Sequence, residues 1–171
     1  MLLSLFIYFL LVSPPRSTLE PARIHDVFLS FRGIDTRASF TSHLYAALQK
    51  AGVKVFIDDN ELQRGDYIST SLSRSIEQSQ IYIIVFSKKY ANSPWCLDEL
   101  ESIMKCRRTT RKVVFPVFYY VDPKDVRHQT GEFGTAFQSL LNKISNKGEL
   151  TWREALREAG GVAGFVVQNS R

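Results

Sequence analysis

Short unbroken apolar runs take turns along this chain with longer stretches that repeat every three or four residues, a pattern that predicts strands and helices in alternation. Asp26 to Phe31 is the first strand. Arg32, Gly33, Ile34, Asp35 and Thr36 then form a loop into a helix whose buried stripe is Phe40, Leu44, Ala47, Leu48 and Ala51, stopped by Gly52. Val53 to Ile57 is the second strand, followed by a polar loop from Asp58 to Asp66 and a helix carried by Ile68, Leu72 and Ile76. Ile81 to Phe86 is an almost pure β-branched and aromatic run, the mark of a strand buried on both faces of a parallel sheet. Ser93 and Pro94 start the next helix, a side-chain oxygen at the cap and a proline where no backbone donor is missed. Val113 to Tyr119 is the fourth strand. Asp122 and Pro123 open a long loop to Gly131, Phe133, Phe137, Leu140, Leu141 and Ile144 mark a helix, Trp152, Ala155, Leu156 and Ala159 mark the last one, and Gly164 to Val167 is a short final strand.

Five strands alternating with helices predict an α/β fold, a five-stranded parallel sheet in the flavodoxin-like order 2-1-3-4-5 with helices on both faces. The switch point then lies between the first and third strands, and ligands in such sheets sit outside the carboxyl ends at that point. The loops that reach this rim carry Arg32 with Gly33, Arg64, and Trp95 with Glu99. On the helix after the third strand, Leu97, Leu100, Ile103, Met104 and Arg107 form the inward stripe. At about 100° per residue this points Asp98 outward and leaves Glu99 bordering the core, on the side of Trp95 one turn earlier. Acidic residues in a first helical turn are commonly there for the helix dipole, so it is the rim position beside an indole that makes Glu99 a candidate site residue.

Length and composition narrow the reading further. With 171 residues, 44% of them hydrophobic, the chain supports one sizeable core. A formal charge of +5 suits an anionic ligand without demanding one, and the densest basic cluster, Lys105, Arg107, Arg108, Arg111 and Lys112, falls at a helix end where cations complement the dipole. Cys96 and Cys106 lie on one helix about 15 Å apart and cannot pair with each other; two free thiols fit a reducing compartment, and no Cys or His spacing suits a metal. Residues 1–12 are apolar and uncharged but reach only about 18 Å against a hydrocarbon core of about 30 Å. They lack the basic start and clean cleavage site of a signal peptide, and Arg16 and Arg23 would keep the succeeding domain on the cytosolic side if they inserted. Residues 1–24 are read as a leader, anchor or signal-like, outside the fold, with membrane association left open. A receiver domain is excluded because Phe31, Arg32 and Phe86, Ser87, Lys88 stand where its acids belong, and neither GxGxxG after a strand nor GxxxxGK[ST] occurs.

Five motifs in order, HDVFLSFRGIDTR at 25 to 37, FIDDNELQRGDYI at 56 to 68, VFSKKYANSPWCLDEL at 85 to 100, PVFYYVDPKDVRHQTGEFGTAF at 116 to 137 and WREAL at 152 to 156, resemble those of the TIR (Toll/interleukin-1 receptor) domains of plant disease-resistance proteins. The resemblance spans residues 25–169 and suits the TIR-only form, or a truncated copy of a longer receptor. It implies an NAD+ glycohydrolase, acting on NAD+ or NADP+ as substrate without a resident cofactor, whose ADP-ribose or cyclic products signal in plant immunity. Glu99 matches the family's catalytic glutamate. Arg32, Gly33, Arg37, Arg64 and Trp95 match positions around the bound dinucleotide. Ser42 and His43 match paired residues of one self-association surface, and Gly131 lies where a second is usually found. Other TIR domains are therefore the implied partners and the cytoplasm the implied location. The family often has Glu where this chain has Ile34 and Asp where it has Tyr120, and the connection before Trp152 is shortened. Two further activities fit the resemblance: a non-catalytic adaptor that docks other TIR domains, and synthesis of cyclic nucleotides from nucleic acid, for which Cys96 is the residue to mutate.

Overall fold

The computed structural model describes residues 24–57, 70–144 and 148–168. Arg64, most of the leader and the loop predicted from Asp58 to Asp66 lie outside the described residues. The strands are β1 (His25–Phe31), β2 (Val55–Ile57), β3 (Ser79–Phe86), β4 (Val113–Tyr119) and β5 (Phe165–Val167), and they pair in the order β2-β1-β3-β4-β5. Every pairing is parallel, with Phe31 opposite Val85 and Phe86 opposite Phe118. The sheet order read from the sequence is the observed one.

β3 shows why this sheet has two cores. Side chains alternate across a strand, so Ile81, Ile83 and Val85 join Val27, Leu29 and Val117 on one face, whereas Tyr82, Ile84 and Phe86 join Phe28 and Phe118 on the other. The first face is covered by a short helix α1 (Gly33–Thr36), a π-helical turn (Arg37–Thr41) and α2 (Ser42–Lys50), with Leu44 and Leu48 buried. The second is the larger core. It takes α3 (Thr70–Gln78), α4 (Pro94–Thr110), α6 (Gly131–Leu141) and α7 (Glu149–Ala159). Between β4 and α6 a short helix, α5 (Pro123–His128), stands where a loop was expected: Asp122 caps it by accepting from the Lys124 N–H at 2.7 Å. Only Val126 is buried on it, so it leaves no apolar period to read. The connection after β1 is likewise helical earlier than expected, and β2 starts at Val55 rather than Val53.

α4 begins as the sequence indicates, with Ser93 at the cap accepting from Cys96 N–H at 3.3 Å, and it closes on Arg111 in the left-handed conformation. Cys96 and Cys106 are both free thiols. Asp98, however, does not face solvent. The indole Nε1 of Trp152 donates to its Oδ1 at 2.8 Å across the contact between α4 and α7. A helical wheel drawn for one core face has no means of showing a second helix packed on the other side. The basic cluster is similarly engaged, since Arg107 and Arg108 both pair with Glu158 of α7 at 2.9 and 2.7 Å.

The last strand depends on a glycine. Pro116 has no backbone donor, yet it sits inside β4, a placement tolerated only where no ladder partner is required. β5 meets this requirement by starting one residue later, with Val117 opposite Phe165. Gly164 passes so near that a Cβ there would stand 2.2 Å from the Pro116 carbonyl oxygen. Tyr120 also occupies an unusual backbone region, φ 53°. Asp tolerates that region better than a bulky aromatic does, so an aromatic at this place is the less comfortable choice. Among the described residues no helix is long and apolar enough to cross a membrane.

Gly164→Ala is expected to lose about 1–3 kcal/mol, read from denaturant unfolding, with faster amide exchange confined to β5. A second expectation concerns pH. Burial raises the Asp98 carboxyl above its ordinary 3.8, against the Trp152 N–H that lowers it and with the Glu101 charge adding to the rise. The folded chain therefore holds this proton more tightly than the unfolded one, and stability falls as pH climbs from 3.8 through the raised value. Asp98→Asn keeps an acceptor for Trp152 and has no charge to bury. Its melting temperature should exceed the wild type's at neutral pH, with the gap closing as the pH is lowered toward 3.8.

Candidate functional site

At the carboxyl end of β1 a polar side chain enters an apolar strand. Ser30 is 1% exposed, and it shares the Phe28 face, toward α4. Its Oγ donates to Glu99 Oε2 at 2.7 Å and lies 2.9 Å from the Tyr90 hydroxyl. Tyr90 belongs to a 3-10 turn (Tyr90–Asn92) that links β3 to α4, and its hydroxyl donates to the Cys96 carbonyl at 3.0 Å. Cys96 in turn directs its Sγ at the Phe31 carbonyl, 3.6 Å away. These contacts join the end of β1, the exit from β3 and the start of α4, the three elements that meet at the switch point.

Glu99 is 5% exposed, as the helical wheel indicates. No acidic residue falls in the first turn of α4, because Glu99 lies a turn and a half along it. The helix dipole acts mainly within the first turn, so this carboxylate gains less from the helix end than from local contacts such as the Ser30 hydroxyl. Trp95, half-buried, stands one turn before Glu99 on the same side and packs against the larger core. Arg32 and Gly33 come directly after β1, both half-buried. Asp35 ties this segment across the crevice: its Oδ2 accepts from Ser87 Oγ at 2.6 Å and from the Lys89 N–H at 2.9 Å. The loops leaving β1 and β3 are thereby held at a fixed spacing.

Arg37 lies elsewhere. Its guanidinium stacks over the Phe31 ring at 5.0 Å, on the α2 face of the sheet, and it lines a groove of about 350 Å³ with Thr41, Ser42, Tyr45 and Phe56. Arg32, Gly33 and Trp95 thus cluster near Glu99, Arg37 sits across β1 from it, and Arg64 is outside the described residues. Ser42 and His43 are exposed in the first turn of α2, both directed back at the Ser39 carbonyl, at 2.8 and 2.6 Å. Gly131 is exposed at the start of α6 with φ 60°, where a Cβ would meet the Asp125 carboxylate at 2.7 Å. The two proposed association surfaces therefore lie on opposite layers of the sheet. The Cys96 thiol is 1% exposed. Ile34 is 64% exposed on the rim beside Arg32. Among the described residues no group of His, Cys, Asp or Glu could hold a metal ion.

Sequence patterning does not single out Ser30, Tyr90 or Asp35. A lone hydroxyl inside the otherwise apolar run of β1 is the available signal, since a buried polar group requires a partner.

Residues 24–171 match the TIR domain family. The chain is 47% identical over 159 residues to disease resistance protein RPV1 of Vitis rotundifolia, covering 93% of this chain and 11% of that protein. It is 48% identical over 142 residues to TMV resistance protein N of Nicotiana glutinosa, covering 82% of this chain and 12% of that protein. It thus spans about a tenth of the length of these relatives. Among solved structures, the TIR domains of the activated Roq1 resistosome, which directly recognizes the pathogen effector XopQ, superpose with a TM-score of 0.74 at 43% identity. That match covers 85% of this chain and 89% of the other.

Removing the clamp on the crevice tests its worth. Asp35→Ala leaves the nearly buried Ser87 hydroxyl without its acceptor and is expected to lose about 1.5–3 kcal/mol, read as a lower urea midpoint with an unchanged slope.

Proposed function

This chain belongs to the TIR domain family, and on that premise we propose that it is an NAD+ glycohydrolase that releases nicotinamide and generates ADP-ribose or its cyclic form, acting through self-association in plant immune signalling. The observation that carries the reading is the buried Glu99 carboxylate held by Ser30 at the switch point between β1 and β3. A single carboxylate suffices for this chemistry. Ordinary glycosidases add a second carboxyl group as an acid to protonate the departing oxygen. Nicotinamide departs from a cationic pyridinium and is neutral once free, so no acid is needed. Glu99 accepts from the ribose hydroxyls and stabilises the positive charge that develops on the ring as the bond breaks. Arg32, and Arg64 from the β2 loop, offer forked donors suited to a pyrophosphate, Gly33 lets the dinucleotide approach the backbone, and Trp95 offers a flat face for a ring. Arg37, across β1, joins this set only through a substrate that reaches around the strand end. NADP+ is the alternative substrate.

Self-association is part of the same reading. The exposed Ser42 and His43 on one layer and the exposed Gly131 on the other are different patches, so one copy can meet a separate neighbour through each and assembly can extend beyond a pair. The relatives are named as resistance proteins and the Roq1 TIR domains belong to an activated resistosome; assembly as the trigger of turnover is carried to this chain from there. A non-catalytic adaptor would use the same patches. Synthesis of cyclic nucleotides from nucleic acid through Cys96 is less favoured, because that thiol is buried and directed at the Phe31 carbonyl. Two free thiols accord with a cytoplasmic location.

The test is NAD+ consumption by the full chain at high concentration or on a crowding surface. Wild type should consume NAD+ and release nicotinamide, and Glu99→Ala should be folded and at least about 100-fold slower. An active Glu99→Ala protein overturns the mechanism. A silent wild type that nonetheless self-associates leaves the adaptor as the function.

A further inference from the structure

We propose that Ser30, backed by Tyr90, is the positioning residue of Glu99: the two hydroxyls fix the orientation of its carboxylate from beneath, on the side of the sheet core. The inference rests on the reading of Glu99 as the group that acts on substrate, but its physical content is the contact itself. Three oxygens on three separate elements approach within 2.7 and 2.9 Å, and the last of them lies 3.0 Å from the Cys96 carbonyl. Ser30 and Tyr90 are fully buried and Glu99 nearly so.

Counting hydrogens shows how this set works. Each hydroxyl supplies one hydrogen and accepts on its lone pairs, an ionised carboxylate supplies none, and a carbonyl supplies none. With Glu99 ionised, two hydrogens serve three contacts. The charged acceptor makes the stronger bond, so the Ser30 hydrogen is committed to Oε2. Tyr90 then points its hydrogen either at Ser30 Oγ or at the Cys96 carbonyl, and pointing it at Ser30 strengthens the bond to Glu99 in turn. A positive charge developing on a bound ribose draws density from the carboxylate, which shifts the balance of the Tyr90 hydrogen between its two acceptors. The arrangement is a two-link cradle whose inner end answers to the charge at its outer end.

A hydroxyl at position 30 has little other purpose. The strand around it reads Val27, Phe28, Leu29 and Phe31, all buried, and an alanine or valine would suit such a strand without a desolvated oxygen. Ser30 is placed to contact the carboxylate from the strand side and not to contact substrate. It is therefore expected to affect the chemical step and not the binding of the dinucleotide.

The experiment uses the full chain with glutamate labelled at its carboxyl carbon with carbon-13. The Glu99 resonance is assigned by its disappearance in Glu99→Gln, and it is compared in wild type, Ser30→Ala and Tyr90→Phe, with thermal melts as a control for folding. Tyr90→Phe removes one oxygen without changing the ring, so the test survives if Ser30→Ala folds poorly. The Glu99 resonance should move in Ser30→Ala and move less in Tyr90→Phe. NAD+ turnover should fall about ten- to hundredfold in kcat for Ser30→Ala, with KM within about twofold. An unmoved Glu99 resonance in both variants overturns the proposal, as does a loss that appears in KM with kcat intact. A resonance that moves while wild type turns over no NAD+ upholds the contact and overturns the glycohydrolase reading, so the two failures are told apart.

Discussion

A parallel strand covered on both faces can place a polar side chain only at its ends or opposite a partner that enters the core to meet it. β1 and β3 are such strands, with every residue from Val27 to Phe31 and from Ile81 to Phe86 buried, so polar side chains are confined to their ends or to places where a partner reaches them. Ser30 is the one polar residue within the buried part of β1, Val27 to Phe31. It is accommodated because α4 brings Glu99 and the turn before α4 brings Tyr90 to the same spot. If α4 were displaced by one turn, the bond between Ser30 and Glu99 would be lost, and losing a hydrogen bond to a buried charge costs about 1.5–3 kcal/mol. The position of α4 and the polarity of β1 therefore enforce one another.

The covering of the sheet is lopsided, and the site lies on the heavier side. The core with α3, α4, α6 and α7 includes Tyr82, Tyr90, Phe86, Phe118, Phe133 and Phe137, whereas among the described residues the other face is closed by the α1 to α2 segment. A side-chain cluster keeps its geometry best on rigid, well-packed elements, and the deeper packing gives Ser30, Tyr90 and Glu99 that support. The lighter side holds the groove beside Arg37 and Ser42.

The parts of the structure that repeat locally are readable in the chain, and the parts that depend on remote partners are not. Strand order comes from alternation of elements and the handedness of crossovers. The start of α4 comes from Ser93 and Pro94, and the burial of Glu99 from its angle to a stripe of leucines. The bond from Trp152 to Asp98 joins residues 54 apart in sequence, and no periodicity carries that distance. The cradle of Ser30, Tyr90 and Glu99 spans 69 residues and is invisible for the same reason, although the odd serine in an apolar strand announces that some partner exists. Arg37 is grouped with the other cations by motif, and only coordinates reveal that the end of β1 stands between it and Glu99.

The patch at Gly131 connects to Glu99 by packing more than by charge. The visible link at the start of α6 is the ion pair between Glu132 and Lys88, but both side chains are mostly exposed, and such pairs contribute little. The buried route is firmer. Phe133, two residues into α6, meets Phe86 edge to face at 6.2 Å, and Phe86 meets Tyr90 edge to face at 5.0 Å. Close-packed rings transmit displacement because no void absorbs it. A neighbour that docks at Gly131 and tilts α6 thus acts on the ring whose hydroxyl stands behind Ser30, whereas one that docks at Ser42 and His43 presses on the opposite layer. The two patches are unequal in their access to Glu99, because only the one at α6 stands on the ring stack that ends at Tyr90.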